Sequence, residues 1–174
     1  MHIIIDIGHA SGTGARGNGA EEHAESVLTA AALANALRAR NHEVTVLDFP
    51  EMPNRADLNA TIAAANNMRA ALGISLHMDA SENPAAHGAH VCYTTSSGSR
   101  AATCIANRIC DMLPGRAGRT VKRKDLAVLN NTRAVWVLVE LGFITNAGDL
   151  AVVREHRALL AEKIAAGVSD YLAA

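Results

Sequence analysis

Ala134-Val135-Trp136-Val137-Leu138-Val139 is the most strongly apolar run in the chain, and Glu140-Leu141-Gly142-Phe143 follows it. A run of this length without alternation reads as a strand covered on both faces, fit for the centre of a sheet. His2-Ile3-Ile4-Ile5-Asp6-Ile7, ended by Gly8, carries the same signature. Between these two runs the period alternates. Residues 21–40 read as a helix on Val27, Ala31, Ala34 and Leu37. Residues 43–48 read as a strand, 57–71 as an alanine-rich helix and 72–77 as a strand. Residues 89–94 read as a strand and 99–113 as a helix, and Pro114 to Gly118 break the chain. The C-terminal segment is helical in two pieces, near 147–153 and 155–172, with a buried stripe at Leu160, Ile164, Val168 and Leu172. Alternating β and α elements predict one α/β domain over residues 1–174, a mostly parallel twisted sheet with helices on both faces.

Composition narrows the function. The chain has 174 residues, is 49% apolar with much of that alanine, and carries a net charge of −1. Without a basic block there is no footprint for phosphates, which argues against nucleic acid, and no electrostatic reason to bind an anionic membrane. Nothing approaches the ~18 continuous apolar residues of a membrane span. The N-terminal apolar run is too short for a signal peptide and lacks a basic segment before it. The expectation is a chain kept in the cytoplasm until release, or one that has lost a leader. Cys92, Cys104 and Cys110 have no CxxC spacing and read as small buried hydrophobes rather than a disulfide framework or thiolate metal site.

Ligands of open parallel α/β sheets bind beyond the carboxyl ends of the strands. Three such ends carry polar groups: Asp6-Ile7-Gly8-His9, Ser75-Leu76-His77-Met78-Asp79 and Val139-Glu140. Glu21-Glu22, after the glycine-rich loop from Gly12 to Gly19, can fold over the same edge. Two imidazoles and one carboxylate are a known catalytic zinc set, and a second carboxylate then has work to do as a general base. Each residue also has a structural reading. A lone His after a strand is more often a surface residue. Asn18-Gly19-Ala20-Glu21 resembles a capping box, and an acid such as Glu22 is favoured in a first helical turn. Asp6 either partners a metal-bound imidazole or braces the strand-end loop. Gly8 and Gly142 are expected to keep the backbone close to the metal and substrate. The other six histidines (His2, His23, His42, His87, His90, His156) are expected at the surface.

Taken together, these residues resemble the catalytic domain of the zinc-dependent N-acetylmuramoyl-L-alanine amidases of bacteria and their phages, across essentially all 174 residues. The family pattern Asp-x-Gly-His-Gly stands here as Asp6-Ile7-Gly8-His9-Ala10. Gly-x-x-Glu stands as Gly19-Ala20-Glu21-Glu22, which selects Glu22 over Glu21. Ser-x-His-x-Asn-Ala stands as Ser75-Leu76-His77-Met78-Asp79-Ala80. Glu-x-Gly-Phe-x-x-Asn stands as Glu140-Leu141-Gly142-Phe143-Ile144-Thr145-Asn146. The resemblance implies Zn2+ on His9, Glu22 and His77, Glu140 as the catalytic glutamate, and peptidoglycan as substrate. Asp6, Asp79 and Asn146 are candidates for supporting or substrate-proximal positions. Ala10 and Asp79 depart from the pattern, and Leu47-Asp48-Phe49-Pro50 lacks the arginine usual after the second strand. These departures bear on loop shape and substrate preference. No segment is long enough for the inserted blocking helix of regulated members, so an uninhibited enzyme is expected. The rival readings are another zinc peptidase or deacetylase on the same scaffold, a non-catalytic peptidoglycan-binding module, and a nucleotide-binding α/β protein. The last finds neither GxxxxGK(S/T) nor GxGxxG.

Overall fold

The computed structural model describes residues 1–115 and 119–174. Its elements run β1 (His2–Ile7), β2 (Arg16–Gly17), β3 (Ala20–Glu21), α1 (Glu22–Arg38), β4 (Glu43–Leu47), α2 (Asn54–Asn66) and β5 (Leu72–Asp79). They continue with β6 (His90–Tyr93), α3 (Ser96–Ile109), β7 (Thr120–Lys122), α4 (Ala127–Asn131), β8 (Trp136–Phe143), α5 (Ala147–Glu155) and α6 (Arg157–Ala173). Six strands form one sheet in the order β4-β1-β5-β8-β6-β7, and β2 and β3 form a separate ribbon. Within the sheet β6 and β8 run antiparallel, and the other described pairs are parallel. β5 and β8 occupy the centre, where both faces are covered and a continuous apolar run is required.

The two faces are unequal. Ile3, Ile5, Ile74, Leu76, Val137 and Val139 pack with α1, α3 and α6 in the larger core, through Leu33, Leu37, Ile105, Ile109, Leu160, Ile164 and Val168. Ile4, Trp136 and Leu138 face the opposite way, into a smaller cluster with Leu58, Ala65, Val128 and Leu129 of α2 and α4. Side chains alternate along a strand, and partners in register share a face. Asp6, Ser75 and Leu138 are in register across β1, β5 and β8, and so are His77, Glu140 and His90 across β5, β8 and β6. By parity both rows project from the face covered by α2 and α4. That face is thinly covered, and the site stands there.

Several local readings differ from the structure. The capping box does not form. Asn18 lies in the turn of the β2–β3 ribbon at φ 50 and its Nδ2 donates to the Ile144 carbonyl. Glu21 is the N-cap of α1 without a side-chain cap bond, and its carboxylate accepts the Gly12 N–H. The buried face of α1 differs from the expected stripe in its N-terminal half: Ala34 and Leu37 are buried as read, Val27 is half-buried and Ala31 exposed, and Ser26, Thr29, Ala30 and Leu33 are buried. Strand β8 continues through Glu140 to Phe143 because the residues after the glutamate are again apolar and buried. β7 and α4 were not legible, being short and weakly patterned, and α2 is displaced toward its N-terminus. The break at 114–118 falls partly outside the described residues. Cys92 and Cys110 are buried, whereas Cys104 is partly exposed.

The position of α1 is held by Glu25. Only 5% exposed, its carboxylate accepts from Arg154 (2.6 and 2.8 Å) and Arg157 (2.5 Å), which joins α1 to α5 and α6. Breaking a buried pair leaves charge uncompensated, an effect reduced here because the arginines reach solvent. Glu25→Gln is expected to cost about 2–3 kcal/mol, read as a fall of roughly 5–10 °C in thermal midpoint.

Candidate metal centre

Glu22, the first residue of α1, is 2% exposed. Its Oε1 lies 2.9 Å from His77 Nδ1 and accepts the Met78 N–H at 3.0 Å. Its Oε2 accepts the Ala15 N–H at 2.7 Å and lies 3.4 Å from His9 Nε2. The rings of His9 and His77 meet edge to face, with centroids 5.0 Å apart. One ligand atom from each of His9, Glu22 and His77 falls within 4.8 Å of the other two. Ligands at zinc distances in a tetrahedral site stand roughly 3.3 Å apart, a spacing close to the 2.9 and 3.4 Å between Glu22 and the two histidines. Two imidazoles and a carboxylate are also the donor chemistry zinc prefers.

The backbone makes room for this cluster. A Cβ at Gly8 would lie within the His77 ring, and one at Gly14, where φ is +81, would lie 2.8 Å from His9 Cγ and 2.9 Å from Glu22 Oε2. His9 itself takes φ 62, a region non-glycine residues seldom adopt and one that tends to occur at functional positions. Gly142 instead packs against Asp149, away from the cluster.

The electrostatics favour a cation. Burial raises the Glu22 carboxyl, but the His77 bond and charge, the Ala15 N–H and the His9 charge outweigh it and hold the pKa below its usual range. Burial alone would depress His77. The Glu22 bond and the charges of Glu140, Glu22 and Asp6 push it up to about 9. The same carboxylates that raise His77 favour positive charge at this point.

Asp6, Asp79 and Asn146 have structural partners. Asp6 accepts from Thr61 (2.9 Å) and Ser75 (2.6 Å), and Trp136 Nε1 donates to Ser75 Oγ at 2.9 Å. It therefore braces β1 against α2 and β5 and reaches His77 through charge. Burial keeps its carboxyl above the usual range, against those bonds and the His77 charge. Asp79 faces His90 Nδ1 at 3.7 Å. Asn146 caps α5, accepting from Gly148 and Asp149, and donates to the Pro84 carbonyl. Two histidines expected at the surface are buried. His23 is 8% exposed and pairs with Asp48 at 2.9 Å, and His90 is 2% exposed beside Asp79. His90 was not legible as part of the site because its position opposite Glu140 depends on an antiparallel pairing that no local pattern announces.

A cavity of about 250 Å3 opens beside the cluster, lined by Asp6, His9, Arg55, Asp57, Thr61 and His77 among others. A mostly parallel α/β sheet with two imidazoles and a carboxylate gathered at its carboxyl edge offers the donor set of a candidate catalytic metal site. The family model for N-acetylmuramoyl-L-alanine amidases matches residues 3–170, and the chain belongs to that family. It is 27% identical over 176 residues to the N-acetylmuramoyl-L-alanine amidase LytC of Bacillus subtilis (strain 168), covering 97% of this chain. That match takes in 34% of LytC, so the chain spans about a third of its relative's length. The catalytic domain of the CD27L endolysin targeting Clostridia difficile superposes with a TM-score of 0.91 at 28% identity, over 98% of this chain and 97% of that one. The amidase AmiC2 of Nostoc punctiforme superposes with a TM-score of 0.86 at 25% identity, over 100% and 98%.

Two outcomes test this description. Gly8→Ala is expected to retain its far-UV circular dichroism but to bind zinc at least about tenfold more weakly by calorimetric titration, since the His77 ring must move. Asp57 has its carboxyl pushed up to about 6 by burial, with Asp6 and Asp48 adding to the rise. Its protonated form therefore stabilises the fold fully below pH 3.8, and that contribution is lost as pH rises through about 6. Asp57→Asn is expected to gain about 1–2 kcal/mol at pH 7 and nothing near pH 3.5, measured by denaturant unfolding at both pH values.

Proposed function

We propose that residues 1–174 form a zinc-dependent catalytic domain that hydrolyses the amide between N-acetylmuramic acid and the first L-alanine of the peptidoglycan stem. His9, Glu22 and His77 hold the ion, and Glu140 is the general base. The observation that carries this reading is the convergence of two imidazoles and one buried carboxylate within 4.8 Å, in a chain of the amidase family. Bound zinc supplies Lewis-acid polarisation of the scissile carbonyl and lowers the pKa of a coordinated water to ~7.

The protein's own groups divide the remaining work. Glu22 is committed to the ion and to the Ala15 and Met78 N–H groups, and Asp6 to Thr61 and Ser75. Glu140 is in register with His77 on the adjacent strand and shares its face of the sheet. In this reading Glu140 takes the proton from the attacking water and returns it to the departing alanine amine. One carboxylate serves both steps because it is a base before attack and an acid after it. The peptide enters from the thinly covered face, where His9 is 27% exposed.

Mass spectrometry of digested muropeptides tests the reaction. The expected product is free stem peptide beginning with L-alanine, formed with zinc and abolished by a chelator. Cleavage at any other bond would contradict the assignment. Glu140→Gln is expected to keep one zinc per chain while turnover falls roughly 10²–10⁴-fold, whereas His77→Ala loses the metal as well.

A further inference from the structure

Asp57, in the first turn of α2, lines the cavity beside His9 and His77. It is 5% exposed, yet its Oδ1 has no hydrogen-bond partner among the described residues. A buried carboxylate oxygen without a donor is costly, and native proteins seldom leave one without a reason. Asp6, in the same cavity wall, shows the contrast, because both its oxygens receive hydroxyl donors. The helix dipole favours an acid in this turn, but an exposed acid would gain that benefit without burial. Asp6 and Asp48 add repulsion to the cost of burying Asp57, against the opposing charges of His23 and His77. At the lip of the same cavity stands Arg55, which is exposed. A carboxylate seeking a donor inside and a guanidinium at the rim suit a ligand that points an N–H inward and a carboxylate outward.

The second residue of a peptidoglycan stem has this chemistry. A D-glutamate joined onward through its γ-carboxyl carries an amide N–H and a free α-carboxylate on the same carbon. We propose that the cavity is the subsite for this residue, with Asp57 accepting its N–H and Arg55 pairing with its α-carboxylate. The assignment rests on the amidase reading above. The residue follows the alanine of the scissile amide, which agrees with a cavity that shares His9 and His77 with the metal cluster. Amidation of the α-carboxylate removes the charge that Arg55 meets, so the site discriminates between amidated and non-amidated stems.

Two synthetic N-acetylmuramoyl pentapeptides, one with D-glutamate and one with its α-amide at the second position, test this with the zinc-loaded protein. The wild type is expected to show kcat/KM about tenfold higher for the acid. Arg55→Gln is expected to bring that ratio to about one. Asp57→Ala is expected to lower kcat/KM about tenfold for both substrates through KM, with kcat little changed, as for lost uniform binding. Asp57→Asn, which keeps the shape and one acceptor, falls between, with a thermal midpoint at pH 7 no lower than the wild type. An acid-to-amide ratio that Arg55→Gln leaves unaltered, or Asp57→Ala kinetics matching the wild type, overturns the subsite. Wild type that cleaves both substrates equally also overturns it and leaves the amidase reading standing. Wild type that cleaves neither overturns both.

Discussion

Glu22 brings its carboxylate to a point where three segments of the chain meet: the glycine-rich loop through Ala15, β5 through His77 and Met78, and the end of β1 through His9. Burying a carboxylate costs several kcal/mol unless it is fully bonded. The loop therefore cannot leave its place without exposing or orphaning this group. The same bonds set the distance between the two imidazoles. The β2–β3 ribbon presents the Ala15 N–H, and Asn18 ties that ribbon to Ile144 beyond the end of β8. Glu25, one turn further along α1, anchors the helix to Arg154 and Arg157. The two acids on one helix thus have separate duties, one at the site and one in the scaffold.

The sheet supplies the other half of the geometry. His77, Glu140 and His90 form one row, and Asp6 and Ser75 form the row before it. A slip of one residue in β5 or β8 would turn His77 or Glu140 into the large apolar core. The continuous burial of Leu72 to Leu76 and of Trp136 to Val139 makes such a slip costly, because each strand has a packed face on both sides. Packing far from the reacting atoms therefore fixes the register of the site.

Much of this arrangement was legible in the sequence. Apolar runs located β1, β5 and β8, and the polar residues that end or interrupt them marked His9 and His77, which the structure gathers with Glu22, and Glu140, the proposed base. Distinguishing Glu22 from Glu21 required the family resemblance, since both begin the helix; in space the two carboxylates point to different partners. Asn146 was legible as a motif residue, but its part as a cap tied to Pro84 depends on a loop packed against it. Asp57 and His90 were invisible because their significance comes from burial and from tertiary neighbours, which local patterning does not encode. The difference in the N-terminal half of α1 has a similar origin. Its N-terminal half buries Glu25, Ser26 and Thr29, polar residues that a hydrophobic stripe passes over.

The central claim is that one divalent ion is held jointly by His9, Glu22 and His77. Anomalous diffraction at the zinc edge, from crystals grown with zinc, tests it most directly. The account predicts a single strong peak within coordination distance of all three side chains, with Glu140 beside it. A peak elsewhere, or one bound by a single histidine while Glu22 keeps its bonds to Ala15 and His77, would contradict it.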